Sequence, residues 1–164
     1  MVSVPTLGEV GAMLALAERL NCKAGFTVVE DVPAMGRRDL KPLTPTPAQW
    51  RAVVDELLAR KAAGERRIQN SVAGLKYLRR WPEYAPIGCS AGLVYARIEP
   101  DGRLFGCGNL VSSTPGEDLG ERSFGDAWED LTRDRCEACW CDTRVEMNLI
   151  LAGVPSALRA AWTR

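Results

Sequence analysis

The chain has 164 residues, 46% hydrophobic and 26% charged, a composition typical of one globular domain or two small ones. Its 21 basic and 21 acidic residues cancel, which argues against a nucleic-acid partner, since such proteins carry a basic surplus. No apolar run approaches the length of a membrane span. The amino-terminal segment carries an acidic residue, Glu9, and no basic leader, so we do not expect a secretory signal. The composition therefore predicts a cytoplasmic protein with no membrane partner.

The first predicted helix begins near Thr6, because Thr6 and Glu9 have the spacing of a capping box. Its apolar positions recur at helical spacing in Leu7, Val10, Leu14 and Ala17, widened by Met13, Leu16 and Leu20. Asn21 is a suitable residue for the helix end. Ala24–Val29 then predicts a short buried strand of a parallel sheet, because its apolar residues are nearly continuous. Between the two, the isolated Cys22 is predicted to be a small buried hydrophobic residue rather than a ligand.

The second predicted helix has the strongest signals in the chain, and it follows a loop at residues 30–45. Thr46-Pro47-Ala48-Gln49 combines a capping threonine, a proline at the first helical position and a capping-box glutamine. The apolar stripe consists of Trp50, Val53, Val54, Leu57 and Leu58. Gly64 ends the helix. A third helix is predicted over Ile68–Arg80, closed by Trp81-Pro82, with Val72, Leu75 and Leu78 facing inward.

A β-hairpin is predicted after Pro86, where the composition changes. Leu93–Glu99 alternates between polar and apolar residues, which predicts one face formed by Val94, Ala96 and Ile98. Pro100-Asp101-Gly102 predicts the turn, and Arg103–Cys107 predicts the returning strand. Because Cys89 precedes this hairpin and Cys107 ends it, both cysteines can lie at the same end of the ribbon.

Short helices are predicted on both sides of a cysteine-rich segment. A glycine-rich loop runs to Gly120, after which Ser123-Phe124-Gly125-Asp126 caps a short helix that carries Trp128 and Leu131. After the cysteines, Val145, Leu149 and Ala152 predict another helix, and Pro155–Trp162 predicts the last one. Trp128 and Trp140 flank the cysteines and are expected to shield them.

Five of the six cysteines lie in the second half of the chain, and their spacing indicates a metal site. They are Cys89, Cys107, Cys136, Cys139 and Cys141. Since the chain has no histidine, a site for a soft metal must use thiolates, and all-thiolate sites hold zinc or an iron–sulfur cluster. Asp142 is a further donor near these cysteines, although a helix cap is the preferred role for it.

Cys89, Gly102 and Cys107, followed by the Cys136-x-x-Cys139 motif, resemble the SPASM/Twitch auxiliary-cluster region of radical SAM proteins. The segments Cys89–Gly92 and Glu99–Gly102, and Ser123–Leu131 before the Cys-x-x-Cys, are also similar to that family. Upstream, the strand, Gly36-Arg37-Arg38 and the amphipathic helix resemble the end of the family's partial α/β barrel. The resemblance implies an α+β fold, with a partial barrel remnant (helix–strand–helix) at residues 1–86 and a SPASM/Twitch-like β-hairpin-plus-helix domain at residues 87–164.

The resemblance implies one auxiliary [4Fe-4S] cluster, with Cys89, Cys107, Cys136 and Cys139 as ligands by position. Cys141 does not match the longer spacing of the family and competes for the fourth place. Zinc, Zn²⁺, bound in a stand-alone structural or interaction module, is the alternative. The radical SAM motif Cys-x-x-x-Cys-x-x-Cys is absent from the sequence, so we expect no catalytic residue and no catalysis by this chain alone. The implied partners are a radical SAM barrel chain, or a peptide or small-molecule substrate.

Overall fold

A computed structural model of the chain describes residues 1–29, 41–83, 87–108, 111, 114–131, 139 and 141–162. These residues divide into two compact units. The first unit contains residues 1–29, 41–83, 87–88, 139 and 141–162, and the second contains 89–108, 111 and 114–131. The structure thus changes units near the predicted boundary of 1–86 and 87–164, but the last two helices belong to the first unit.

The structure contains six α-helices and three short strands within these described residues. In chain order they are α1 (Val10–Arg19), α2 (Pro47–Ala62), α3 (Val72–Leu78), β1 (Arg97–Ile98), β2 (Arg103–Phe105), β3 (Glu117–Asp118), α4 (Phe124–Glu129), α5 (Asp142–Leu151) and α6 (Pro155–Trp162). Turns of 3₁₀-helix precede α1 at Val4–Thr6 and precede α2 at Lys41–Leu43. In the part of the chain described here, no helix has the length and apolar character needed to cross a membrane.

Helix α1 begins at Val10, so the capping box predicted for Thr6 and Glu9 is wrong. The Thr6 hydroxyl is already used in the preceding turn, where its oxygen accepts a hydrogen bond from the Ser3 N–H at 2.9 Å. The inward positions Val10, Leu14 and Ala17 are buried as predicted. The predicted widening of the stripe is wrong, because Met13, Leu16 and Leu20 are all exposed.

The chain leaves α1 through Asn21, which has a φ of 48° and confirms the predicted helix end. The following Cys22 is exposed, so the prediction that it is buried is wrong. Its N–H donates to the Ala17 carbonyl at 2.9 Å, which holds Cys22 at the carboxyl end of α1 rather than in the core. Cys22 therefore provides a solvent-accessible thiol in the first unit.

Helix α2 has the predicted capping box and the predicted buried face. The Gln49 N–H donates to Thr46 Oγ1 at 3.3 Å, and the Thr46 N–H donates to Gln49 Oε1 at 2.8 Å. Trp50, Val53, Val54 and Leu57 are buried, and Leu58 packs against the same core while partly exposed. The indole N–H of Trp50 donates to the Leu78 carbonyl at 2.7 Å, which ties α2 to the end of α3.

The segment Ala24–Val29 buries Phe26, Val28 and Val29 and pairs in parallel, although it forms isolated bridges rather than the predicted strand. Val28 pairs with Val2, and Ala24 pairs with Ile68. The buried side chain of Asn70 accepts from the Phe26 N–H at 2.7 Å and donates to its carbonyl at 3.0 Å. Because a side chain takes these two backbone groups, a regular ladder does not extend across them. Helices connect the paired segments, which gives the first unit the local connectivity of an α/β fold.

Helix α3 is shorter than the predicted Ile68–Arg80, because Ile68 is in a parallel bridge and Ser71 caps the helix. The Ser71 hydroxyl accepts from the Gly74 N–H at 2.9 Å. Leu75 and Leu78 face inward as predicted, but Val72 is exposed. Helices α5 and α6 confirm the two helices predicted at the end of the chain, and α5 packs Val145 into the core of the first unit.

The second unit contains a three-stranded antiparallel sheet in the order β1-β2-β3. The predicted hairpin is confirmed in a shorter form, with Arg97 opposite Phe105 and with Gly102 at a φ of 83° in the turn. Strand β3 was not predicted, because its two residues are acidic. The predicted apolar face is wrong, since Val94 and Ile98 are exposed. The apolar core instead consists of Leu104, Ala127 and Leu131, with partly buried residues around them.

Helix α4 confirms the predicted cap, because the Ser123 hydroxyl accepts from the Asp126 N–H at 3.2 Å. This cap starts the helix that carries Ala127 into the core of the second unit. Arg122 joins the same region from the loop before α4. It forms ion pairs with Glu117 of β3 and with Asp130 after α4, which fastens the third strand to the helix.

Candidate metal centre

The structure places Cys89 and Cys107 in one small apolar cluster of the second unit. Cys107 is 6% exposed and packs with the buried Ala91, and Cys89 and Tyr95 pack against these two while partly exposed. The two thiols come from opposite ends of the hairpin region, before Ala91 and after β2. This arrangement matches the expectation that a hairpin brings its entry and exit residues to one place.

A tight loop after Cys89 determines how the chain enters the hairpin. The Ser90 carbonyl accepts from the N–H groups of Leu93 and Val94, each at 3.1 Å. The Gly92 N–H donates to the Tyr95 carbonyl at 2.9 Å, and Gly92 has a φ of 72°, which favours glycine. This loop places Tyr95 beside Ala91, and Cys89 and Cys107 pack in one cluster with these two residues.

Cys139 and Cys141 lie in the first unit and differ in their surroundings. Cys139 is partly buried and packs against the main hydrophobic core. Its backbone N–H donates to the hydroxyl oxygen of Tyr77 at 3.2 Å. Cys141 is the N-cap residue of α5, and its carbonyl accepts from the Val145 N–H at 2.9 Å. Asp142 is the first residue of α5, so the prediction that it caps the helix is wrong.

Tyr77 is a contact of the cysteine segment that the sequence did not reveal. Tyr77 is a buried residue of α3, as are Leu75 and Leu78. Burial raises the pKa of the Tyr77 phenol above its ordinary value, and the hydrogen bond from the Cys139 backbone partly opposes this shift. The predicted inward stripe of this helix, Val72, Leu75 and Leu78, does not include Tyr77, so helical spacing indicated neither the burial of the ring nor the partner of its hydroxyl.

The predicted donor set falls only in part within the described residues. Cys136, Trp140 and Gly36-Arg37-Arg38 lie outside them. The five cysteines that the structure describes take part in no disulfide bond. Among the described residues, no group of three or more Cys, Asp or Glu side chains could hold a metal ion. The structure therefore brings together one pair of predicted ligands, Cys89 and Cys107, and describes Cys139 and Cys141 separately.

No protein-family model, curated protein or solved structure matches the chain.

Proposed function

We propose that this chain is an iron–sulfur protein of the SPASM/Twitch type and the carboxy-terminal part of a radical SAM enzyme. It holds one [4Fe-4S] cluster through the thiolates of Cys89, Cys107, Cys136 and Cys139. The observation that carries the proposal is the convergence of Cys89 and Cys107 in one apolar cluster, although the entire hairpin separates them in sequence.

The chemistry of the donors fits this group. Cysteine thiolates are the usual ligands of [4Fe-4S] clusters, and the chain has six cysteines and no histidine. The described pair lies in apolar surroundings, in one cluster with the buried Ala91 and the partly buried Tyr95. Such surroundings limit the access of water, which is one of the factors that set the potential of a cluster.

The connectivity of the first unit supports the proposal that the chain is the carboxy-terminal part of a radical SAM enzyme. Parallel bridges between Val2 and Val28 and between Ala24 and Ile68 have α1 and α2 between their partners, an order that a segment of an α/β barrel would also have. These 164 residues contain no Cys-x-x-x-Cys-x-x-Cys motif, so in this proposal the cluster that cleaves S-adenosylmethionine is held by residues other than these. When bound, the auxiliary cluster supplies electron transfer or an anchoring point for a peptide or small-molecule substrate.

Zinc is the second candidate, because a set of four thiolates also suits a structural zinc site. The two candidates differ in one component that is simple to measure. An iron–sulfur cluster contains inorganic sulfide and a zinc site does not.

The proposal predicts the result of anaerobic reconstitution with iron and sulfide. The full chain should take up about four irons and four sulfides and acquire broad absorbance in the visible region. Iron, zinc and acid-labile sulfide are measured on the same sample. Stoichiometric zinc with no labile sulfide, in protein purified anaerobically, would contradict the iron–sulfur proposal and favour the zinc module.

The two described cysteines near α5 should contribute unequally. Cys139→Ser is expected to abolish cluster loading, because the two-residue gap to Cys136 lets both sulfurs converge on one cluster. Cys141→Ser is expected to reduce loading only in part, because Cys141 starts α5 as its N-cap residue. Iron content per chain after identical reconstitution gives the ranking. The opposite ranking would make Cys141 the fourth ligand.

A further inference from the structure

We propose that Tyr77 is a positioning residue for Cys139, an inference that rests on the function proposed above. The Tyr77 hydroxyl oxygen accepts a hydrogen bond from the backbone N–H of Cys139 at 3.2 Å. The two residues are far apart in sequence, and the contact joins the cysteine segment to α3. Tyr77 thereby orients the backbone that carries the ligand, without touching the metal itself.

The position of the Tyr77 side chain is fixed by its burial and by the attachment of α3 to the core. Tyr77 is 7% exposed, and Leu75 and Leu78 of the same helix are fully buried. Helix α3 is itself fixed, because the Trp50 indole donates to the Leu78 carbonyl at 2.7 Å. Because the Tyr77 ring is buried on a fixed helix, the hydrogen bond holds the Cys139 amide in one direction relative to the core.

Because of this contact, the Cys139 amide is not available to donate a hydrogen bond to a cluster sulfur. In Cys-x-x-Cys segments, backbone N–H groups often donate to sulfur, and these hydrogen bonds tune a cluster. Here the Cys139 N–H is committed to an oxygen instead. Removal of that oxygen would release the amide, and both the placement of the Cys139 thiolate and the stability of a bound cluster should change.

Two substitutions separate the role of the hydroxyl from the role of the ring. Tyr77→Phe keeps the buried ring and removes the oxygen, whereas Tyr77→Leu removes both. In the full chain, amide hydrogen exchange at Cys139 should accelerate about fivefold in both variants, the factor expected for one net hydrogen bond. Tyr77→Leu should lower the midpoint of urea unfolding further than Tyr77→Phe does, because only Tyr77→Leu also leaves a cavity.

The reconstituted protein gives the second measurement. Iron release to a chelator should be about fivefold faster in Tyr77→Phe than in wild type, with the initial iron content unchanged. Unchanged amide exchange at Cys139 and unchanged iron release in Tyr77→Phe would overturn the inference. Wild-type protein that takes up no iron would instead overturn the proposed function, and the exchange measurement, which needs no metal, would still test the Tyr77 contact.

Discussion

Replacing Cys107 with serine is expected to reduce cluster loading from about four irons per chain to nearly none. Cys107 is the most buried of the described cysteines and packs directly with Ala91. A serine there loses the soft thiolate and also buries a hydroxyl in an apolar cluster. Iron and labile sulfide, measured after anaerobic reconstitution, test the expectation, and Cys89→Ser should give the same result.

Cys22→Ser is the matched control, because it is the same substitution at an exposed cysteine after α1. It should leave iron and sulfide content at the wild-type level. The loss of metal in Cys107→Ser should also lower the hydrogen-exchange protection of the second unit, because binding of a metal contributes free energy of folding. Equal iron content in the Cys107 and Cys22 variants would exclude Cys107 as a ligand.

Replacing Gly74 with alanine is expected to destabilise the first unit by about 1–3 kcal/mol, although alanine favours helices. A Cβ at Gly74 would overlap the carboxylate of Glu146 and lie 2.9 Å from its Cδ atom. Glu146 is buried and cannot simply move away, because its Oε1 accepts a hydrogen bond from the Ser71 N–H at 2.7 Å. Urea unfolding of the two proteins measures the difference.

Gly11→Ala is the matched control, since Gly11 also lies in a helix, α1. A Cβ at Gly11 would meet only Arg60 Nη2 at 3.5 Å, an ordinary contact. The alanine should therefore stabilise the protein, by at most about 1 kcal/mol. Equal stabilisation by both substitutions would contradict the close contact between Gly74 of α3 and Glu146 of α5.

The sequence predicted the features that local signals determine. The capping box at Thr46 and Gln49, the cap at Ser123 and the turn at Gly102 all lie within a few residues of the groups they satisfy. The same holds for the candidate site, because the hairpin itself implied that Cys89 and Cys107 meet. Their shared cluster in the second unit follows from antiparallel pairing of the strands between them.

The features that the sequence did not predict depend on distant partners. Helical spacing cannot show that Met13 and Leu20 remain exposed, because it does not reveal how much of α1 is covered. It also cannot show that the Tyr77 hydroxyl meets the Cys139 amide. Strand β3 was missed because two acidic residues give no β signal, and because its partners in the sheet, Arg103 and Leu104, lie on the far side of a loop.

Helices α5 and α6 belong to the first unit, although the ribosome makes them after the second unit. Ser156 of α6 accepts a hydrogen bond from the Ala73 N–H at 3.1 Å, and Glu146 of α5 accepts from Ser71, so both helices complete the start of α3. Translation produces α3 well before either helix, and it produces the second unit in between. The amino end of α3 therefore remains incompletely hydrogen-bonded in the nascent first unit until nearly all of these 164 residues have left the exit tunnel.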